Sequence, residues 1–115
     1  MSPRPSGRSV ERIRALNDLL RLLPFRPEVG DTYLTAGVTE LDSRADVLRK
    51  VQLYDDFTPD NDPHGEHDFG AFDHAGVKYF WKIDYYDLKL EFHSPDPADP
   101  KVTRRVLTIM RADEY

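Results

Sequence analysis

Apolar residues in the first quarter of the chain recur with the period of an α-helix. Four of them follow a three- and four-residue spacing, with Leu19 beside them: Ile13, Leu16, Leu20 and Leu23. Ser9 can cap the N-terminus of this helix, and Pro24 ends it because proline has no backbone N–H. The pattern predicts a helix over residues 9–23. The Pro, Gly and Ser content of residues 1–8 predicts a flexible N-terminal tail.

The next two segments have the composition of a strand and a second helix. Residues 31–36 are rich in side chains that favour strands. Asp42 or Ser43 can then cap a helix. Three apolar residues behind this cap have the spacing of one helical face: Ala45, Leu48 and Val51. Residues 51–57 are compatible with the end of this helix or with a strand, and both alternatives stay open.

Strict alternation of apolar and polar residues predicts the clearest strand, over residues 77–85. Its buried face consists of the odd positions: Val77, Tyr79, Trp81, Ile83 and Tyr85. The preceding HDFGAF segment is expected to pair with it through the DHAG turn, as a hairpin. From Tyr86 to Phe92 the apolar residues occupy even positions. We therefore expect a bulge or tight turn near Tyr85 to Asp87, which would restore the register of the alternation that follows.

A final strand is predicted in RVLTIM, after an extended Pro-rich segment, HSPDPADP. The sum is two helices and four or five strands. The pattern predicts a single α+β domain over residues 9–115, in which two helices pack on one face of a mainly antiparallel four- to five-stranded sheet in two layers.

Composition narrows the classes of function. The net charge of −5 argues against generic nucleic-acid binding. The absence of cysteine excludes disulfides, thiolate nucleophiles and thiolate zinc sites, and fits a reducing compartment. No apolar run approaches the ~20 residues that span a bilayer, so we expect a cytoplasmic protein without a membrane partner.

Acidic residues and histidines concentrate in one segment that contains no Lys or Arg between Lys50 and Lys78. The segment holds seven acids and three histidines: Asp55, Asp56, Asp60, Asp62, Glu66, Asp68, Asp73, His64, His67 and His74. Its centre, DNDPHGEHDFG, is denser in chemically useful side chains than a plain surface loop requires. We therefore expect function to lie here.

Two functional interpretations and one structural interpretation compete for this segment. The candidate residues for partner or metal binding are Asp60, Asp62, His64, Glu66, His67 and Asp68. In the metal-binding interpretation the cofactor is a divalent metal, and its ligands are Asp62, His64, Glu66 and His67. The spacing fits neither a calcium-binding loop nor the HExxH pattern. In the structural interpretation, Asp60, Asn61 and Asp62 cap turns through backbone amides.

Other catalytic and binding signals are weak. The chain has no cysteine, no GxSxG elbow and no phosphate-binding glycine loop, so no catalytic residue is assigned. Phe80 and Tyr86 lie on the even face of the predicted strand and are expected to be exposed aromatics. With Lys78 and Lys82 beside Phe80, they could form a thin stacking platform for single-stranded nucleic acid.

Five motifs resemble a family of short, uncharacterised bacterial proteins, a domain of unknown function common on plasmids and other mobile elements. The motifs are RIRALND (12–18), LTAGV (34–38), FTPDNDPHGEHDFG (57–70), WKIDYYD (81–87) and RVLTIMRADEY (105–115). The resemblance spans almost the whole chain. It implies an intracellular location and a mobile-element setting, and it assigns no activity.

The leading hypothesis is a small non-enzymatic protein-interaction or accessory factor of a bacterial mobile element, in the class of anti-CRISPR and anti-restriction inhibitors. Its partner is expected to be a protein that contacts the acidic segment. The alternative hypothesis is a divalent-metal-dependent hydrolase or nuclease that uses the acids and histidines of residues 60–68, with a metal-bound water as the nucleophile.

Overall fold

The computed structural model describes residues 7–115. Within this range the elements are, in chain order, α1 (Gly7–Leu22), β1 (Asp31–Leu34), α2 (Ala36–Thr39), α3 (Arg44–Gln52), β2 (Phe69–His74), β3 (Val77–Tyr86), β4 (Arg104–Arg111) and a C-terminal 3₁₀ helix, Ala112–Glu114. The predicted α+β class is confirmed, with four strands as expected and with three α-helices rather than the predicted two, because the short helix α2 was not predicted. The first helix begins at Gly7 rather than Ser9, and residues 1–6 of the predicted tail lie outside the described residues.

The four strands form one mixed sheet in the order β1-β4-β3-β2. β3 pairs antiparallel with both β2 and β4, whereas β1 pairs parallel with β4. The sheet is therefore mixed, and the antiparallel prediction holds for its two longer pairings only. The parallel pair joins residues far apart in the sequence, such as Asp31 and Val106, and local sequence pattern cannot indicate such a pairing.

The predicted hairpin is confirmed, with Phe69 opposite Lys82 and His74 opposite Val77. Its two-residue turn consists of Ala75 and Gly76, whose φ angles are 51° and 78°. Positive φ at both central residues is the requirement of the type I′ turn, whose twist matches that of the flanking strands.

One hydrophobic core joins the odd face of β3 to α1, α3 and β4. Its buried members from these elements are Ile13, Leu20, Val47, Val51, Tyr79, Trp81, Ile83, Tyr85, Leu107 and Ile109. The alternation in residues 77–85 thus predicted the buried face correctly from Tyr79 onward, while Val77 is exposed.

The buried face of α1 differs from the predicted apolar stripe. Leu19 and Leu23 are substantially exposed, whereas Asn17 and Arg21 are buried beside Ile13 and Leu20. These two polar residues can be buried because partners elsewhere in the fold satisfy their hydrogen bonds.

The structure decides between alternatives that two local predictions left open: residues 51–52 are the end of the helix, and Ser43 rather than Asp42 occupies the N-cap position. α3 ends at Gln52, and no strand follows it before Phe69 in the described chain. Ser43 occupies the N-cap position of α3 but forms no capping hydrogen bond, because its Oγ lies 2.9 Å from His74 Nε2.

The tight turn predicted near Tyr85 to Asp87 is confirmed, but no extended segment follows it within residues 88–92. β3 ends at Tyr86, and the chain turns back at once, since the Leu90 N–H donates to the Asp87 carbonyl at 3.0 Å. Tyr86 then forms an isolated antiparallel bridge with His93. Leu88, Leu90 and Phe92 alternate in the sequence, but they do not lie in a strand.

None of the helices within residues 7–115 combines the length and the apolar character that crossing a membrane requires.

Candidate functional site

Residues 55–68, here called the acidic loop, connect α3 to β2. Its first half is closed by turn-capping side chains: the Thr58 N–H donates to Asn61 Oδ1 at 2.8 Å, and the Asn61 N–H donates to Thr58 Oγ1 at 3.2 Å. The Asp62 N–H donates to the Thr58 carbonyl at 2.8 Å. The turn-capping interpretation therefore holds for Asn61, which stabilises one loop conformation.

The second half of the acidic loop is hydrogen-bonded to α1. Arg14 Nε donates to the Gly65 carbonyl at 2.6 Å, and Asn17 Nδ2 donates to the Glu66 carbonyl at 3.0 Å. Gly65 has a φ of 68°, a left-handed conformation that glycine adopts without steric cost. Both contacts bind the loop backbone and leave its side chains available for other roles.

His67 links the loop to α1 through its side chain. Its Nδ1 lies 2.8 Å from Asp18 Oδ1, and its ring stacks on Phe57 with a centroid separation of 3.7 Å. Its backbone is left-handed, with a φ of 55°, and its N–H donates to Asp62 Oδ1 at 3.2 Å. Because one ring nitrogen and the ring stack are already engaged, this imidazole acts as a structural link.

Arg21 connects α1 to the end of α3, where the acidic loop begins. Arg21 Nη1 donates to the carbonyls of Val51 and Tyr54, both at 3.0 Å, and Arg21 Nη2 donates to Asp18 Oδ1 at 2.8 Å. The guanidinium also lies over the Trp81 ring, 4.7 Å from its centroid. A buried cation thus satisfies carbonyls at a helix C-terminus, where positive charge is favourable.

A second buried network fixes Glu66. The Tyr85 hydroxyl donates to Glu66 Oε1 at 2.8 Å and accepts from Asn17 Nδ2 at 2.8 Å. Arg105 Nε donates to Asn17 Oδ1 at 2.7 Å, and Arg105 Nη2 donates to the Pro97 carbonyl. Burial raises the pKa of the Tyr85 phenol and lowers the pKa of the Arg105 guanidinium. Tyr85 therefore stays protonated and Glu66 is held as its acceptor.

Asp68 is half-buried, and no basic side chain forms an ion pair with it within residues 7–115. Burial raises the pKa of its carboxyl and the neighbouring Glu66 raises it further, while a hydrogen bond to the backbone and, to a smaller extent, His64 oppose the shift. The ionised form of Asp68 therefore destabilises the fold at neutral pH.

We expect Asp68→Asn to increase the free energy of unfolding at pH 7 by about 0.5 kcal/mol, a value kept small because the group is partly solvated. A raised folded-state pKa means that the native state is favoured while the acid is protonated and loses stability as pH rises through that pKa. The gain should therefore shrink toward zero at about pH 3. Urea denaturation at both pH values measures it, and a gain that is equal at both pH values would contradict this origin.

The predicted metal ligands do not converge. Glu66 Oε1 accepts the Tyr85 hydroxyl. His67 Nε2 lies 3.7 Å from Asp62 Oδ2, and His67 Nδ1 lies 2.8 Å from Asp18 Oδ1. His64 is exposed. Across residues 7–115 no group of three or more His, Asp or Glu side chains is placed to hold a metal ion. Among the other candidates, Asp60 is exposed and Asp68 is half-buried beside Glu66.

The two aromatic residues predicted to be exposed are half-buried. Phe80 lies against Phe69 and Tyr115, with ring centroids 5.3 and 5.7 Å away. Tyr86 lines a shallow depression of about 470 Å³ that also includes Lys82. Lys82 Nζ lies 3.1 Å from Asp84 Oδ2, so the charge of Lys82 is already paired. This face is a poor stacking platform for nucleic acid.

A groove of about 730 Å³ between α3 and β2 adjoins the start of the acidic loop. It is here called the α3–β2 groove. Its apolar lining includes Leu53, Tyr54 and Phe72. Its charged lining has both signs: Asp46, Asp55 and Asp56 are acidic, and Arg49 and Lys50 are basic. Leu53 is 66% exposed, so a large apolar side chain faces solvent beside two carboxylates. Such a combination is typical of a protein-binding surface.

The residues that hold the loop were not predicted from the sequence as members of this site. They are Arg14, Asn17, Asp18, Arg21, Tyr85 and Arg105. One signal could have found two of them. Asn17 and Arg21 follow Ile13 at intervals of four residues, so they share its face of the helix. Polar residues on an otherwise buried helical face indicate partners elsewhere in the fold.

A family model described as a protein of unknown function, DUF3768, matches residues 34–114. The chain belongs to the DUF3768 family. The match confirms the predicted membership of a family of unknown function. It covers the acidic loop, the α3–β2 groove, Tyr85 and Arg105, and it begins after α1. No curated protein and no solved structure matches the chain.

Proposed function

We propose that this protein is a non-enzymatic accessory factor that binds a protein partner through the acidic loop and the α3–β2 groove. One observation carries the proposal. The loop is hydrogen-bonded to α1, yet its exposed carboxylates, Asp55, Asp56 and Asp60, form no ion pair in the described part of the chain.

Rigidity matters because binding by a flexible loop loses conformational entropy, whereas a loop already held in place avoids most of that loss. Unpaired surface carboxylates provide an electrostatic field that attracts and orients a basic surface. The groove adds exposed apolar area at Leu53 for an anchoring side chain. The favoured partner surface is therefore an apolar residue flanked by Lys or Arg.

The setting that we propose follows from the resemblance of the sequence motifs: a bacterial plasmid or other mobile element, and the cytoplasm. In that setting an inhibitor of a defence system, such as an anti-CRISPR or anti-restriction factor, is the partner-binding class we favour. We also propose a two-layer arrangement in which α1 and α3 cover one face of the sheet. The metal-dependent hydrolase is not carried forward, because no geometric observation favours it.

The triple variant Asp55→Asn, Asp56→Asn and Asp60→Asn is expected to bind the partner about tenfold more weakly. Three exposed ion pairs at about 0.5 kcal/mol each give about 1.5 kcal/mol. The measurement is quantitative affinity capture from bacterial lysate, followed by titration of the captured protein by biolayer interferometry at two salt concentrations.

The matched control removes the same charge from exposed acids elsewhere, in the triple variant Glu28→Gln, Glu40→Gln and Asp42→Asn. This control should bind like the unaltered protein. Equal binding by both triple variants would refute the role of the acidic loop. A partner whose affinity does not decrease with salt would also contradict the electrostatic part of the proposal.

A further inference from the structure

β2 lies at one edge of the sheet, since the strand order is β1-β4-β3-β2 and β2 pairs only with β3. The direction of its backbone groups alternates. The Ile83 N–H donates to the Asp68 carbonyl at 2.8 Å, so Asp68 and every second residue after it face β3. The residues between them point their N–H and C=O groups away from the sheet. These residues, here called the β2 edge, are Phe69, Ala71 and Asp73.

The α3–β2 groove runs along the β2 edge, because Ala71 and Phe72 form part of its lining. Phe72 shares its side of β2 with Gly70, which lies against Trp81 on the face that the helices cover. In a strand added to this edge, alternate side chains would point to the same face. They would enter the groove, where Leu53 provides exposed apolar area.

The two ends of the groove differ in charge. α3 begins at the hairpin end of β2, where Ser43 contacts His74, and the chain after α3 passes Ala71, whose backbone interacts with the Tyr54 phenol. The lining contributed by α3 has both signs: Asp46, Arg49 and Lys50. The lining after Tyr54 is acidic only, and its carboxylates form no ion pair within residues 7–115: Asp55 and Asp56. A partner segment along the groove therefore meets uncompensated negative charge at one end.

The β2 edge is only partly satisfied by side chains. Lys50 Nζ donates to the Asp73 carbonyl at 3.0 Å in an exposed hydrogen bond, and Tyr54 interacts with the Ala71 backbone. A lysine at a strand edge is a common device against pairing with wrong chains. Within residues 7–115 the N–H groups of Phe69 and Asp73 have no hydrogen-bond partner. Each side-chain contact is a single interaction, which an added strand can replace with a main-chain hydrogen bond.

We propose that an extended segment of the protein partner pairs with the β2 edge as a fifth strand. This inference rests on the proposed function and specifies the form in which the partner binds. The occupant is an extended chain because main-chain donors and acceptors at the spacing of a strand are matched by another strand. It carries an apolar side chain for the groove, and Lys or Arg at the end that faces Asp55 and Asp56.

The probe for the test is a peptide selected from a phage-displayed library of random peptides of roughly ten residues, the length of a long strand. The immobilised full chain is the target. Hydrogen exchange measured by NMR on the ¹⁵N-labelled chain is expected to slow about tenfold at Phe69 and Asp73 when the synthetic peptide binds. Gly70 and Phe72 should not change, because their N–H groups already face β3. Failure to select a peptide, or a change without this alternation, would overturn strand addition.

Two chemical changes remove single main-chain donors. N-methylation of the peptide nitrogens that face β2 should weaken binding about tenfold, whereas methylation of the alternate nitrogens should leave the affinity unchanged. Asp73→Pro removes an outward N–H, which an edge strand tolerates, and should weaken peptide binding by a similar factor. Its control, Asp73→Ala, removes the carboxylate and keeps the N–H, so it should bind like the unaltered chain. Equal affinities across the methylated peptides would contradict the pairing.

The outcomes separate this inference from the proposed function. If the triple variant of Asp55, Asp56 and Asp60 weakens binding of the captured partner while Asp73→Pro does not, strand addition alone is wrong. If neither variant weakens binding, both proposals fail. Slowing of exchange at Phe69 and Asp73 that rises with the concentration of the chain, without peptide, would assign the edge to a second copy and overturn the inference.

Discussion

Replacing Arg21 with methionine is expected to lower the free energy of unfolding by about 3 kcal/mol. The buried guanidinium donates to two carbonyls at the end of α3 and to Asp18, and methionine can supply none of these bonds. Hydrogen bonds to a charged group contribute about 1.5 to 3 kcal/mol each, and they are not additive. Thermal and urea denaturation monitored by circular dichroism measure the loss.

The matched control is Arg26→Met, which removes an exposed arginine 3.8 Å from Glu28. It should change stability by less than about 0.5 kcal/mol. Arg21→Lys keeps the charge but lacks the planar fork, so it should recover less than half of the loss. A cost below about 1 kcal/mol for Arg21→Met would contradict the role of Arg21 as the link between α1 and α3.

Gly70→Ala is expected to destabilise the protein by about 3 kcal/mol, at the upper end of overpacking effects. A Cβ at this position would lie 2.2 Å from Trp81 Nε1 and 2.5 Å from Trp81 Cε2. The tryptophan is fully buried in the core and cannot move away without displacing neighbours such as Tyr54. The midpoint of urea unfolding, with its slope unchanged, measures this cost.

A double-mutant cycle identifies the steric cause. In a Trp81→Phe background, Gly70→Ala should cost at least about 1.5 kcal/mol less, because the clashing indole atoms are gone. Gly76→Ala is a useful comparison, since a Cβ there meets no atom within 4 Å and only its φ of 78° opposes the change. Equal cost of Gly70→Ala in both backgrounds would exclude the clash with Trp81 as the cause.

Local pattern predicted the elements whose burial follows from their own periodicity. The odd face of β3 from Tyr79 onward, the hairpin through the DHAG turn and the final strand all occur as predicted, because a period of two with one apolar face leaves only one stable register. The same logic failed after Tyr86. There the alternation continues, but the backbone turns, and the apolar residues end up in solvent.

Composition singled out the acidic segment, but the contacts of its members could not be predicted. Its composition indicated turns and exposed carboxylates, and the structure has both at Asn61 and Asp60. The spacing of Asp62, Glu66 and His67 left a shared metal ion open. The structure directs Glu66 to Tyr85 and His67 to Asp18, and these partners lie on other elements.

The sequence by itself determined the α+β class, the position of the hairpin, the one-sided burial of β3 and the location of the acidic loop, because each depends on side chains close together in the chain. Only the tertiary structure decided that Arg21 and Asn17 are buried, that β1 runs parallel to β4 and that Leu88, Leu90 and Phe92 are exposed. These outcomes depend on contacts between residues far apart in sequence. The free energy of such contacts exists only once the chain has brought both partners together.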